Sequence, residues 1–144
     1  MSLDPDAVTW ITPKVHDVIA AAMDFHGAGV ADAVCAVGVR YGDDGVYALC
    51  CGLAEAIAVL GGFERTADMR HGFTLLSNAT GQQIGPADVA PTAVAEVMGL
   101  QFLMAHLNGE LDQTQALFAA QPVKVSAGLA KLAGTYGRGR RVDG

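Results

Sequence analysis

Bulky and charged side chains are both scarce in this chain. Aromatic residues make up 6% of the sequence, with a single tryptophan, and charged residues 17%, against about 25% charged in an ordinary soluble domain. Apolar residues nevertheless reach 51%, so the apolar share comes mainly from Ala, Val, Leu and Gly. That balance is the reverse of the disordered signature and predicts a folded chain. Lysine occurs only at Lys14, Lys124 and Lys131 and asparagine only at Asn78 and Asn108, a bias of the kind GC-rich bacterial genomes impose.

Cysteine is too sparse for a disulfide scaffold. Cys35, Cys50 and Cys51 form an odd set without the spacing of a secreted framework, so reduced thiols and a cytoplasmic location are expected. Asp4 and Asp6 stand where a secretory signal would carry its basic stretch. No apolar run is clean enough for a membrane span: the best, Gly45 to Phe63, is interrupted by Glu55 and flanked by Asp43, Asp44 and Glu64. A buried helix is the better reading, and no membrane partner is expected.

Motifs of established chemistry are also missing. No glycine-rich loop ends in Lys-Ser/Thr, and no Gly-x-Ser-x-Gly elbow occurs. His16, His26, His71 and His106 show neither an i, i+4 pair nor a Cys-x-x-Cys partner. Adjacent Cys50 and Cys51 point about 100 degrees apart on a helix and do not share one metal there. No metal, cofactor or catalytic residue is assigned.

The net charge of -6 argues against a general nucleic-acid binder, which needs cations to displace counterions from phosphate. Charge is unevenly spread, since Lys124, Lys131, Arg138, Arg140 and Arg141 all lie near the C-terminus. One domain over residues 1–136 with a flexible basic tail over 137–144 follows from that pattern.

The apolar spacing predicts an all-α fold, a compact bundle of five or six helices with one long irregular connection. Thr12-Pro13 reads as a helix start, giving a helix from Pro13 to about His26. Val30 to Tyr41 and Gly45 to Leu60 follow, divided at Gly42 with Asp43 or Asp44 as cap. Later helices open at Pro91 or Thr92 and run to about Leu107, span Leu111 to Ala120, and begin again after Pro122 on Val125, Leu129, Leu132 and Tyr136. Between Phe63 and Ala90 the periodicity fades. A short helix over Glu64 to Arg70, an extended Phe73 to Ser77 and a turn over Asn78 to Gly81 are expected there.

Gly38, Gly52, Gly99 and Gly128 all fall inside predicted helices, where each costs about 0.8 to 1 kcal/mol relative to alanine. Small residues spaced by four accompany them: Ala48, Gly52 and Ala56; Ala95 and Gly99; Ser126, Ala130 and Gly134. Such rows let two backbones approach closely, either in the core or between subunits, and Ala48, Gly52, Ala56, Ala95 and Gly99 are the candidate interface. The resulting functional expectation is a non-enzymatic helical interaction or scaffold protein that self-associates and has room for a protein partner. The alternative is a small-ligand-binding protein or enzyme with a pocket between the helices and the 63–90 connection. Glu55, Arg65, Arg70, His71 and His106 would then supply the polar contacts.

Overall fold

A computed structural model describes residues 3–65, 69–77 and 79–143. Five helices pack together: α1 (Pro5–Met23), α2 (Gly27–Leu60), α3 (Val94–Leu107), α4 (Leu111–Ala120) and α5 (Pro122–Asp143). Two short strands, β1 (Leu75–Leu76) and β2 (Gln83–Ile84), pair antiparallel within the long connection, Leu75 opposite Ile84 and Leu76 opposite Gln83. The all-α bundle expected from apolar spacing is the fold observed. Among the described residues no helix is long and apolar enough to cross a membrane.

Helix α1 starts earlier than its Thr12-Pro13 signal suggests. Asp4 is the cap, its carboxylate accepting from the Ala7 N-H at 2.8 Å, and Pro5 occupies the first helical position. Pro13 lies within the helix. Its missing N-H leaves the Thr9 carbonyl without that helical partner, and Thr9 is exposed, where water can replace the bond. Ile11, Val15 and Val18 form the buried stripe of this helix.

Gly42 interrupts α2 as expected, with φ 68 and ψ -159, although the helix resumes at once on its far side. The second half carries Leu49, Leu53 and Ile57, all fully buried beside Phe102, Leu103, Val125 and Leu129. Fully burying an aliphatic or aromatic side chain of this size contributes about 1.5–3 kcal/mol, so these residues are the centre of the fold. Helix α3 is apolar on most of its circumference and is covered by α5 and α4 as well as by α2.

The close approach predicted for the helical glycines occurs inside one chain at three of the four positions. A Cβ on Gly99 would lie 2.6 Å from the backbone carbon of Gly128, and one on Gly52 would lie 2.7 Å from Val15 Cγ2. Gly128 in turn packs on the Ala95 backbone. Gly38 differs: its Cβ would meet only Val46 Cγ2, at an ordinary 3.5 Å. Helix α5 continues through Asp143, so residues 137–143, read from sequence as a tail, stand in helical conformation.

In the connection, Glu64, Arg65, Met69 and Arg70 take no helical conformation, while residues 66–68 lie outside the described residues. Asn78, expected to open a turn, also lies outside them. Ser77 and Gly81 bracket that turn, with the Gly81 N-H donating to Ser77 O at 2.8 Å. A 3-10 turn over Pro91–Ala93 leads into α3.

Candidate functional site

Three of the five polar residues singled out in the sequence meet at one point. Glu55, on the second half of α2, accepts a bidentate pair from Arg65: Nη1 to Oε1 and Nη2 to Oε2, both 2.9 Å. His106, near the end of α3, donates from Nε2 to Glu55 Oε2 at 2.8 Å. Glu55 is half exposed, and its carboxyl is held below the usual glutamate range, first by the Arg65 hydrogen bonds and then by that of His106, against a smaller opposing effect of burial.

His71 and Arg70 sit farther along the same strap of chain. The His71 N-H donates to Asn108 Oδ1 at 2.7 Å, and Asn108 Nδ2 donates back to His71 O at 2.9 Å. The His71 ring donates from Nε2 to Glu64 O at 2.7 Å, because a carbonyl only accepts. Arg70 is paired with Glu110, and Phe63 packs edge-on against both His71 and Tyr136. All five residues thus engage partners in the chain, and together they fasten the segment after α2 to the α3–α4 corner. Chemically this arrangement is a clamp: its cations already face carboxylates.

The candidate interface residues are engaged internally as well. Gly52 receives Val15 of α1, and Ala95 and Gly99 receive Gly128 of α5. Ala48 and Ala56, half-buried, pack against the core from the same helix.

A cavity lies elsewhere, at the corner where α1 ends and α2 begins. It holds about 760 Å³ and is a half-open groove between α5 and the first half of α2. Val30, Val34, Ala127 and Ala130 make its apolar lining, and Cys35 is exposed on its wall. Helix α5 is drawn tightly to α1 alongside the groove, where a Cβ on Gly134 would come within 2.9 Å of Ala22 and one on Gly137 within 2.6 Å of Met23 Sδ. Small side chains along α5 leave the adjoining space open.

Polar side chains on this groove include His26, which precedes α2. Ser126 and Thr135 turn their hydroxyls to their own helix, donating to Val123 O and Lys131 O. Lys131 is paired with Glu96 of α3 at 2.7 Å. Arg138 donates from Nη1 to Ala22 O at 2.9 Å, and its guanidinium carbon lies 4.0 Å from the centroid of the Phe25 ring. Phe25 is 79% exposed and takes a left-handed conformation, φ 56, in the turn joining α1 to α2. Among the described residues Arg138 has no carboxylate partner.

The sequence pointed at this place only in part. Ser126, Ala130 and Gly134 were legible as a small-residue row, yet only Gly134 is used for close helix packing on α1, while Ser126 and Ala130 line the groove. No group of three or more His, Cys, Asp or Glu side chains placed to hold a metal ion occurs among the described residues. Comparison with protein-family models, curated proteins and solved structures finds no match to this chain.

Proposed function

We propose that this chain is a binding protein that takes a small apolar molecule into the groove between α5 and the first half of α2. The observation that carries the reading is the groove itself, about 760 Å³, within the range of about 300–1,000 Å³ typical of ligand pockets, with the predominantly apolar lining such pockets have. This retains the small-ligand alternative drawn from the sequence and moves it away from the 63–90 connection, whose Arg65, Arg70 and His71 already engage partners in the chain.

Titration of isotopically labelled protein with a panel of apolar probes tests the proposal by NMR. Shifts confined to the amides and methyls of Val30, Val34, Ala127 and Ala130 support it; shifts that spread over the whole surface, or none at all, reject it.

Self-association without enzymatic activity is the second reading. The observation favouring it is a pair of exposed apolar side chains lining the groove, Val123 at 77% and Phe25 at 79%. Light scattering coupled to size exclusion decides it, a dimer mass at micromolar concentration being the supporting result. For either reading the cytoplasm is the setting we infer, on three thiols that are all free, and a bacterial source on the scarcity of lysine and asparagine.

A further inference from the structure

From the chemistry at the end of the groove we infer that its ligand is an anionic amphiphile of the long-chain carboxylate class, with its head group at Arg138 and its tail along Val30, Val34, Ala130 and Ala127. The inference rests on the groove being a ligand site and adds what kind of molecule it selects. An apolar trough alone would take any greasy molecule. What distinguishes this one is a guanidinium fixed at one end.

Arg138 is held rather than free-swinging. Its Nη1 donates to Ala22 O, Nη2 lies 3.4 Å from Thr135 Oγ1, and its guanidinium carbon sits over the Phe25 ring, 4.0 Å from the centroid. A guanidinium carries five N-H donors in a planar fork, so these contacts orient the group and leave donors for a carboxylate, the acceptor whose geometry matches that fork. The other cation on the groove, Lys131, already faces Glu96. The charge at the groove that lacks a carboxylate partner among the described residues is therefore positive and localised at the Arg138 end.

Length agrees with a chain-like tail. The lining residues on α5 extend from Val123 to Arg138, fifteen helical steps or about 22 Å at 1.5 Å per residue. An elongated, mostly apolar path with the Arg138 guanidinium at one end fits an extended acyl chain with a terminal acid better than a compact ring system.

Hexadecanoate, hexadecanol and acetate are the probes, each used below its aggregation concentration with the full-length chain. Two readouts apply: calorimetric affinity and the rate at which a thiol reagent labels Cys35, the exposed cysteine on the groove wall. Hexadecanoate should bind and slow Cys35 labelling, hexadecanol should bind about tenfold or more weakly, and acetate should do neither. In Arg138→Gln the two long-chain probes should become equal. Because Arg138 also caps α1, Ala127→Trp provides an independent check: Ala127 is exposed, and an indole there should fill the trough and abolish protection by either long-chain probe. Equal affinity of hexadecanoate and hexadecanol for the unaltered protein overturns the head-group assignment while leaving the groove a ligand site. Failure of both to slow Cys35 labelling overturns the site together with the inference, as does undiminished protection in Ala127→Trp.

Discussion

Gly99 of α3 and Gly128 of α5 meet backbone to backbone, so closely that neither position has space for a methyl group. The helical cost of two glycines is thereby offset by a contact no other residue permits, and the pairing fixes how α3 crosses α5. Gly128→Ala gains about 1 kcal/mol of helix propensity but drives a methyl into the Ala95 backbone, and overpacking of this kind typically costs about 1–3 kcal/mol, occasionally more. With backbone rather than a flexible side chain on the receiving side, a net loss of about 2 kcal/mol is expected. Gly38→Ala is the control: with only Val46 Cγ2 at 3.5 Å, it should stabilise the protein by about 0.5–1 kcal/mol. Urea midpoints of the two variants should move in opposite directions.

Gly42 has nothing within 4 Å of where its Cβ would be, yet its φ of 68 lies where side chains are strained. Gly42→Ala should therefore cost about 1–3 kcal/mol through the backbone alone. Thermal unfolding of this variant checks that, and an unchanged midpoint would mean that the break in α2 is not required by the fold.

Glu55 gives the clamp a defined pH response. Its folded carboxyl titrates below the ordinary glutamate value of 4.5, because Arg65 and His106 stabilise the charged form. The unfolded chain consequently binds the proton first, so the contribution of Glu55 is present above about pH 4.5 and is lost as pH falls through its folded pKa. Glu55→Gln should cost up to about 1 kcal/mol at neutral pH, as expected of an exposed ion pair with good geometry, and should flatten the stability profile below pH 4.5. Urea melts of both proteins from pH 3 to 7, values chosen to bracket that titration, would show it.

The three thiols should separate cleanly by reactivity. Cys35 is exposed, whereas burial pushes both the Cys50 and the Cys51 thiols up, away from the reactive thiolate. A thiol reagent at mildly alkaline pH should modify Cys35 rapidly in the native protein and reach Cys50 and Cys51 only in denaturant. Rapid modification of Cys50 would contradict its packing in the core.

Much of the helical layout was legible because apolar spacing and punctuation agree. Leu111 to Ala120 lies between the Asn108-Gly109 stop and Pro122, and the helix there is the one observed. Thr12-Pro13 misled for a physical reason: a proline on an exposed helix face loses one bond that water can restore, so it need not mark a beginning. Glu55, Arg65 and His106 carried the right chemistry to meet but no signal that they would meet one another, since they come from α2, the connection and α3. The groove was less legible still. Val30 and Ala127 are nearly a hundred positions apart, and an alanine that opens onto a trough has the same sequence signature as one that fills a core.

The break at Gly42 divides labour along α2. The residues of this helix that line the groove, from Gly27 to Cys35, all precede the break, and in that half only Ala33 and Val37 are buried; Leu49, Cys50, Leu53, Ala54 and Ile57 all follow it. One glycine thus separates the stretch that carries most of this helix's buried side chains from the stretch that lines the groove. The exposed Ala31 on that wall is therefore open to variation that leaves the centre of the bundle untouched, whereas Val30 and Val34, which also pack against the core, tie the shape of the groove to the stability of the fold.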